Sequence, residues 1–389
     1  MVRISSHFRT SLILLFAVLV LSGCASRNVA VKQPVLLTSV SQLKYLNTYV
    51  LPYNQAFANT TVGGLSSIDF DPKSNTYYLI SDDRSHINPA RFYTAKIDIS
   101  AKGIDQVTIT GVHTMLQKDG SSYPQLTKHA TRTTDPEGMR YNGITHQLTW
   151  TSEGDRIVSP EDTTLIDPTI TVISTNGKYI DSIPLPDNLR MRLTESGPRR
   201  NGVLEGLTFA NDFKTLFVNL EEPLYQDGPR AGLVRNKAFV RIYQFDLKNK
   251  KNTAQYAYEL EPIALPPAKE GAEINNGIPD ILWLGDDRLL VTERAYSGGK
   301  GTNLKVFMAD LKGADNIINL KSMIKTPVSH PIKKKLLLNM DDLGIYIDNI
   351  EGATFGPKLP NGHQTLIFAA DNNFNPKEEA QFMIFEVIP

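Results

Sequence analysis

The stretch Leu204-Glu205-Gly206-Leu207-Thr208-Phe209 decides the fold, because the chain repeats it. Past the turn at Asn211-Asp212 a second apolar run, Val218-Asn219-Leu220, ends on Glu221. Other copies open at Gly64-Leu65-Ser66-Ser67-Ile68-Asp69-Phe70, Pro136-Glu137-Gly138-Met139-Arg140-Tyr141, Pro279-Asp280-Ile281-Leu282-Trp283 and Ile350-Glu351-Gly352-Ala353-Thr354-Phe355. Anchored on Ser66, Glu137, Glu205, Asp280 and Glu351, the spacings are 71, 68, 75 and 71 residues. The second runs end on Asp82, Glu153, Glu221, Glu293 and Asp371, at offsets of 16, 16, 16, 13 and 20 from their anchors. Two short apolar runs joined by Asn-Gly, Asp-Pro or Asn-Asp turns read as a β-hairpin. Third strands follow, as at Phe239-Val240-Arg241-Ile242-Tyr243-Gln244-Phe245. Fourth strands are weaker, over 106–110, 179–183 and 257–260.

Repetition at a fixed period marks a repeat architecture, here an all-β fold: a β-propeller with about five sequence repeats and long inter-strand loops. The last repeat stops after its third strand, and residues 45–51 are placed to supply the fourth and close the ring without a free edge. Residues 317–345, which contain Lys333-Lys334-Lys335 and Leu336-Leu337-Leu338, read as a long insertion with a short helix, and also leave room for a sixth blade. The lysine run reads as a solvated face.

An antiparallel hairpin brings the start of its first strand and the end of its second to the same end. If the first strands line a central channel, all ten positions meet at one mouth. Nine are acidic: Glu137, Glu205, Asp280, Glu351, Asp82, Glu153, Glu221, Glu293 and Asp371, with Ser66 the exception. So many like charges need compensation. Oxygen-rich sites suit hard cations such as Ca²⁺. Arginine is the other candidate, since guanidinium pairs with carboxylate and phosphate alike, and Arg84, Arg140, Arg156, Arg199, Arg200 and Arg294 lie near these loops. The acids also have a purely structural reading, in which each accepts backbone N–H groups of a neighbouring blade and the following glycine lets backbones approach.

The N-terminus carries a basic start (Arg3, Arg9), an apolar run from Leu12 to Leu21 and then Ser22-Gly23-Cys24. This describes a secretory signal over residues 1–23. The run is about half the ~20 residues that span a bilayer. Leu21 to Cys24 resembles the bacterial lipobox, so Cys24 is expected to carry lipid, residues 24–40 to form a tether and residues 41–389 to fold. Ala25 after the cysteine is similar to an outer-membrane signal, which places the protein in the envelope facing the periplasm. Cys24 is the only cysteine, which excludes an internal disulfide and a multi-cysteine metal site. A formal net charge of zero gives no support to nucleic acid as a partner. The seven histidines show no zinc-binding spacing, and neither a Gly-x-Ser-x-Gly elbow nor a phosphate loop occurs.

Asp135-Pro136-Glu137-Gly138, Leu204-Glu205-Gly206-Leu207-Thr208-Phe209, Asn349-Ile350-Glu351-Gly352 and Asn372-Asn373-Phe374 resemble the phytase-like domain family, described as having esterase-like activity of phytase. The resemblance covers roughly residues 55–388. It implies a propeller, export and calcium-dependent phosphoester hydrolysis, and assigns no individual catalytic residue. Taken with the acidic mouth, it leads to an expected calcium-dependent phosphoester hydrolase. Glu137, Glu205 and Glu351 are then the catalytic candidates and Arg140 and Arg294 the phosphate contacts. Asp82, Glu153, Glu221, Asp280, Glu293 and Asp371 are the metal ligands. A calcium-dependent lactonase or carboxylic-ester hydrolase, and a non-catalytic binding propeller, are the alternatives.

Overall fold

The computed structural model describes residues 40–125 and 133–389. The signal segment, Cys24, the tether up to residue 39, His7 and His129 lie outside the described residues. Five four-stranded antiparallel sheets form five propeller blades. Blade 1 contains Leu65–Asp71, Thr76–Ser81, Arg91–Ser100 and Gly103–Thr114. Blade 2 contains Pro136–Asn142, Gln147–Ser152, Thr169–Ser174 and Tyr179–Ile183, with the hairpin Asp155–Val158/Thr163–Ile166 inserted after its second strand. Blade 3 contains Leu204–Ala210, Thr215–Leu220, Phe239–Asp246 and Lys251–Glu259. Blade 4 contains Ile274–Gly285, Arg288–Ser297, Gly301–Asp310 and Lys333–Asn339. Blade 5 contains Asn349–Lys358, Gln364–Asp371 and Ala380–Ile388, completed by Gln42–Leu51. The first strands touch one another in a closed ring around the axis.

The closing strand pairs antiparallel with the last one, from Gln42 opposite Ile388 to Leu51 opposite Ala380. Both edges of blade 5 are thereby used, as the truncated last repeat requires. First strands start at the mouth, so Ala380–Ile388 runs away from it. The chain therefore enters the propeller at Gln42 on the far face and climbs to the mouth at Leu51.

Residues 317–345 form no sixth blade. Lys333–Asn339 is the outer strand of blade 4, and a 3₁₀ turn, Met340–Leu343, follows it. The lysine run is also not a uniform solvated face. A strand alternates its side chains, so Lys333 and Lys335 are exposed while Lys334 turns inward. Its ammonium lies 4.6 Å from the Tyr258 ring centre and 4.5 Å from that of Phe307.

The core is distributed between blades. Trp150, Tyr78, Phe92 and Met139 fill the space between blades 1 and 2. Leu79, Tyr93, Ile367 and Phe382 join blades 5 and 1. Leu290, Val306, Phe368 and Phe385 join blades 4 and 5. A larger cluster including Leu207, Val218, Ile242 and Val291 runs through blade 3 to its neighbours. Each blade buries both faces, and this explains the aromatic and β-branched content of the strands.

Candidate functional site

Every first strand carries a register shift at its mouth end. The shifts fall between Leu65 and Ser67, Pro136 and Met139, Leu204 and Leu207, Gly277 and Asp280, and Ile350 and Gly352. A bulge bends a strand and re-aims the extra side chain. The Glu-Gly pairs sit in these bulges. The glycines face the neighbouring blade: a Cβ on Gly138 would lie 2.3 Å from the Glu205 carbonyl, one on Gly206 2.6 Å from Asp280 Cα, and one on Gly352 2.8 Å from Ser67 Cα. Only glycine permits that approach. The glutamates next to them line the mouth.

The same contacts correct the reading of blade 4. Gly206 meets Asp280 as Gly352 meets Ser67, so Asp280 holds the glycine position and Pro279 the anchor. Arg294, one residue after Glu293, then holds the place of Glu153, Glu221 and Asp371. The ring has seven acids and an arginine where nine acids were expected. Asp280 and Glu293 are not ligand candidates in this arrangement. Asp280 lies deeper in the channel, bound to Arg140 at 2.6 and 2.7 Å. Arg140 is correspondingly unavailable as a phosphate contact. It is buried and also donates to Ser67 Oγ at 3.1 Å and the Ile68 carbonyl at 3.0 Å. Glu293 turns outward between blades 3 and 4, where it accepts from Tyr258 at 2.7 Å, Lys334 at 2.5 Å, the Glu261 N–H at 2.8 Å and Asn276 at 3.0 Å.

A cavity of about 470 Å³ opens at the mouth, lined by Asp82, Glu137, Glu153, Glu205, Glu221, Glu351 and Arg294 of the expected set. Asp135, Asp83, Arg84, His86, Ile87, Asn201, Asn373 and Phe374 complete much of its wall. Asp371 is buried behind it and accepts the Asn373 N–H at 2.7 Å. Two carboxylate triads form within the cavity: Asp82, Asp135 and Glu137, and Glu137, Glu153 and Glu205. In each triad one oxygen per residue lies within 4.8 Å of the others, and Glu137 belongs to both. Oxygens on opposite sides of a calcium sphere stand about 4.6–5.2 Å apart, so both triads fit a hard cation of that size.

Among the described residues, counter-charge in the cavity is sparse. Arg294 reaches Glu221 at 2.8 Å and also pairs with Glu351. Arg84 pairs with Asp135 and lies 3.6 Å from Asp155. Asp155 is fully buried; its Oδ1 accepts from Arg200 at 3.3 Å, and among the described residues its Oδ2 has no hydrogen-bond partner. Burial, and then the charges of Glu205, Asp82 and Asp135, push the Glu137 carboxyl far above its ordinary range. Glu205 is driven the same way by burial and by Glu153, Glu221 and Glu351. Asp82 follows through burial, Asp135, Asp371 and Glu351, with Arg84 opposing. Glu153 is pushed up to about 8, by burial first and Asp135 next. An oxygen of Glu153 lies within 4.8 Å of one of Glu205, and an oxygen of Asp82 within 4.8 Å of one of Asp135. Without a cation, these acids hold protons to relieve the crowding.

A pH dependence follows. A carboxyl whose folded pKa is raised binds its proton more tightly folded than unfolded, so stability falls as pH rises through that interval. For Glu153 the window runs from about 4.5 to about 8. Metal-stripped protein should melt several degrees lower at pH 8 than at pH 5, and Ca²⁺ should raise the melting temperature more at pH 8. Thermal unfolding with chelator and with Ca²⁺ at the two pH values checks this; a chelated protein with the same melting temperature at both would contradict it.

Arg84 was expected among the arginines near the loops, whereas Asp135 belongs to no repeat position; its one signal was standing two residues before the Glu137 anchor. No curated protein matches the chain in sequence. Its fold is similar to several solved structures at low identity. These include the Dos1 propeller (8% identity, 90% of this chain and 97% of that one, TM-score 0.34). A gluconolactonase from Xanthomonas campestris matches at 10% identity over 90% and 98% of the chains (TM-score 0.36). An exo-β-1,3-galactanase from Phanerochaete chrysosporium matches at 12% identity over 88% and 65% (TM-score 0.43). The sequence match of weight is to a family, and it spans residues 60–374, from the strand entering blade 1 to the Asn373-Phe374 wall of the cavity. The chain belongs to the phytase-like family, described as having esterase-like activity of phytase.

Proposed function

We propose that the chain is a cation-dependent phosphoester hydrolase acting at the mouth, with calcium as the cation. The observation that carries this reading is the pair of carboxylate triads sharing Glu137, crowded with acids and, among the described residues, short of counter-charge. Asp82, Asp135, Glu137 and Glu153 would hold the cations, with Glu205 beside them in the second triad. A bound hard cation supplies Lewis acidity toward a phosphoryl oxygen. Arg294 and Arg84, both on the cavity wall, bind the remaining phosphoryl oxygens. Glu221 and Glu351 orient Arg294, which moves Glu351 from the expected catalytic role to a positioning one. Glu205, crowded by Glu153, Glu221 and Glu351, takes the proton of the attacking water. Calcium titration of metal-stripped full-length protein by calorimetry should show micromolar binding, and a panel of phosphomonoesters and diesters should show turnover that chelator removes. Calcium binding with turnover of lactones alone would replace phosphoesters by carboxylic esters, and no calcium binding would overturn the reading.

Export and lipidation at Cys24, with the propeller in the periplasm on the outer membrane, complete the proposal. A Cys24→Ser variant should lose incorporated fatty acid and move from the membrane to the soluble fraction. Retention on the membrane with no label in the wild type would contradict the anchor.

A further inference from the structure

The wall of the cavity is polar almost everywhere. Among the described lining side chains only Ile87 and Phe374 are apolar, and both stand on the lip shared by blades 1 and 5. The sequence goes to some length to place that aromatic ring. Asn373 and Phe374 both adopt left-handed backbone, with φ of 46° and 52°, a conformation costly for a bulky side chain. The Phe374 ring rests on Gly63-Gly64: a Cβ on Gly63 would lie 2.9 Å from the ring and one on Gly64 2.6 Å from it. Asn372 fixes the bend by accepting the Gly64 N–H at 3.1 Å and the Phe374 N–H at 3.2 Å. On the other side, Asp83 accepts the backbone N–H groups of His86 at 2.7 Å and Ile87 at 3.1 Å, so the loop bearing Ile87 is pinned. Ile87 is nevertheless 43% exposed. The His86 imidazole, also on the cavity wall, makes no hydrogen bond among the described residues.

The buried Arg91 guanidinium lies 5.8 Å from the ring centre and Tyr53 donates to the Phe374 carbonyl at 3.0 Å, so the turn is held from below while the half-buried ring still forms part of the cavity wall. We infer that this lip is a subsite for the organic group of the substrate ester. Phe374 and Ile87 take a compact apolar or aromatic ring by stacking and contact, and His86 offers an N–H to the bridging ester oxygen. The inference rests on the ester-hydrolase reading and narrows it to esters whose alcohol part is apolar, with the anionic group directed at the triads.

Calorimetry on the full-length protein with Ca²⁺ tests it, comparing phenylphosphonate with methylphosphonate. Wild type should bind the phenyl compound about tenfold more tightly. Phe374→Ala should bring the two within about twofold while leaving methylphosphonate affinity unchanged. Because Phe374 sits in a strained turn, Ile87→Ser provides a second variant at an exposed site and should reduce the preference in part. His86→Ala should lower turnover of phenyl phosphate at least about fivefold and leave phenylphosphonate, which has no bridging oxygen, bound as before. Equal binding of the two phosphonates by wild type, or an undiminished preference in both lip variants, would overturn the subsite. Wild type that binds neither phosphonate would instead overturn the ester-hydrolase reading, and the subsite with it.

Discussion

Glu137→Gln should lower calcium affinity at least about 100-fold and abolish turnover, while making the metal-free protein more stable. The two halves of this result have one cause. Glu137 is shared by both triads, so its loss removes a charged ligand from each, which exceeds the 10–100-fold typical of disturbing a group behind the ligands. In metal-free protein the same carboxyl is crowded by Glu205, Asp82, Asp135 and Glu153 and is buried. An amide of the same shape carries no charge to repel, so the melting temperature in chelator should rise, most clearly at pH 8. A merely structural glutamate would behave in the opposite way and destabilise when replaced. Glu293→Gln supplies that contrast: it loosens the Tyr258 and Lys334 network and should leave calcium affinity as it is. If Glu137→Gln destabilises the metal-free protein and still binds calcium normally, the triads are not a cation site.

Removing one partner of the Arg140–Asp280 pair should destabilise the propeller by about 3–5 kcal/mol, the cost of leaving a buried charge uncompensated. The pair crosses the axis from blade 2 to blade 4. Asp280 also accepts the Ala353 N–H of blade 5 at 2.8 Å, and Arg140 donates to Ser67 and Ile68 of blade 1. Gly206 of blade 3 packs on the Asp280 backbone. All five blades therefore meet at this one contact. Arg140→Leu and Asp280→Leu should each cost that amount, and the double variant clearly less than the sum, because neither partner then strands the other. Urea unfolding of the four proteins gives the coupling. Calcium affinity should change little, which separates this deep pair from the mouth above it. Additive losses in the cycle would show that the two charges do not act together.

Much of the architecture was legible because it is repetitive. The five Glu-Gly or equivalent positions coincide with five bulges, and the missing last strand was found in the segment before the first repeat. Blade 4 misled the reading for a physical reason. Its hairpin pairs from Ile274 to Ser297, well past the mouth positions of the other blades, and proline and aspartate stand where Glu and Gly stand elsewhere. The offset of 13 against 16 was the visible symptom. Lys334 was misjudged because three consecutive lysines hide the alternation of the strand that carries them. Arg84 was legible as an arginine near the mouth, but Asp135 sits on a loop where repetition carries no information, and only the three-dimensional arrangement brings it to the cavity.

The entry of the chain at Gln42 has a consequence for what the molecule can reach. A ten-residue strand rises about 33 Å, which sets the thickness between the face where the polypeptide arrives and the face bearing the cavity. An anchor in the leading residues, as proposed for Cys24, would thus be joined to the propeller on the face opposite its opening. Its substrates would then be molecules diffusing through the compartment or displayed on an opposing surface, not headgroups of the leaflet in which it is moored.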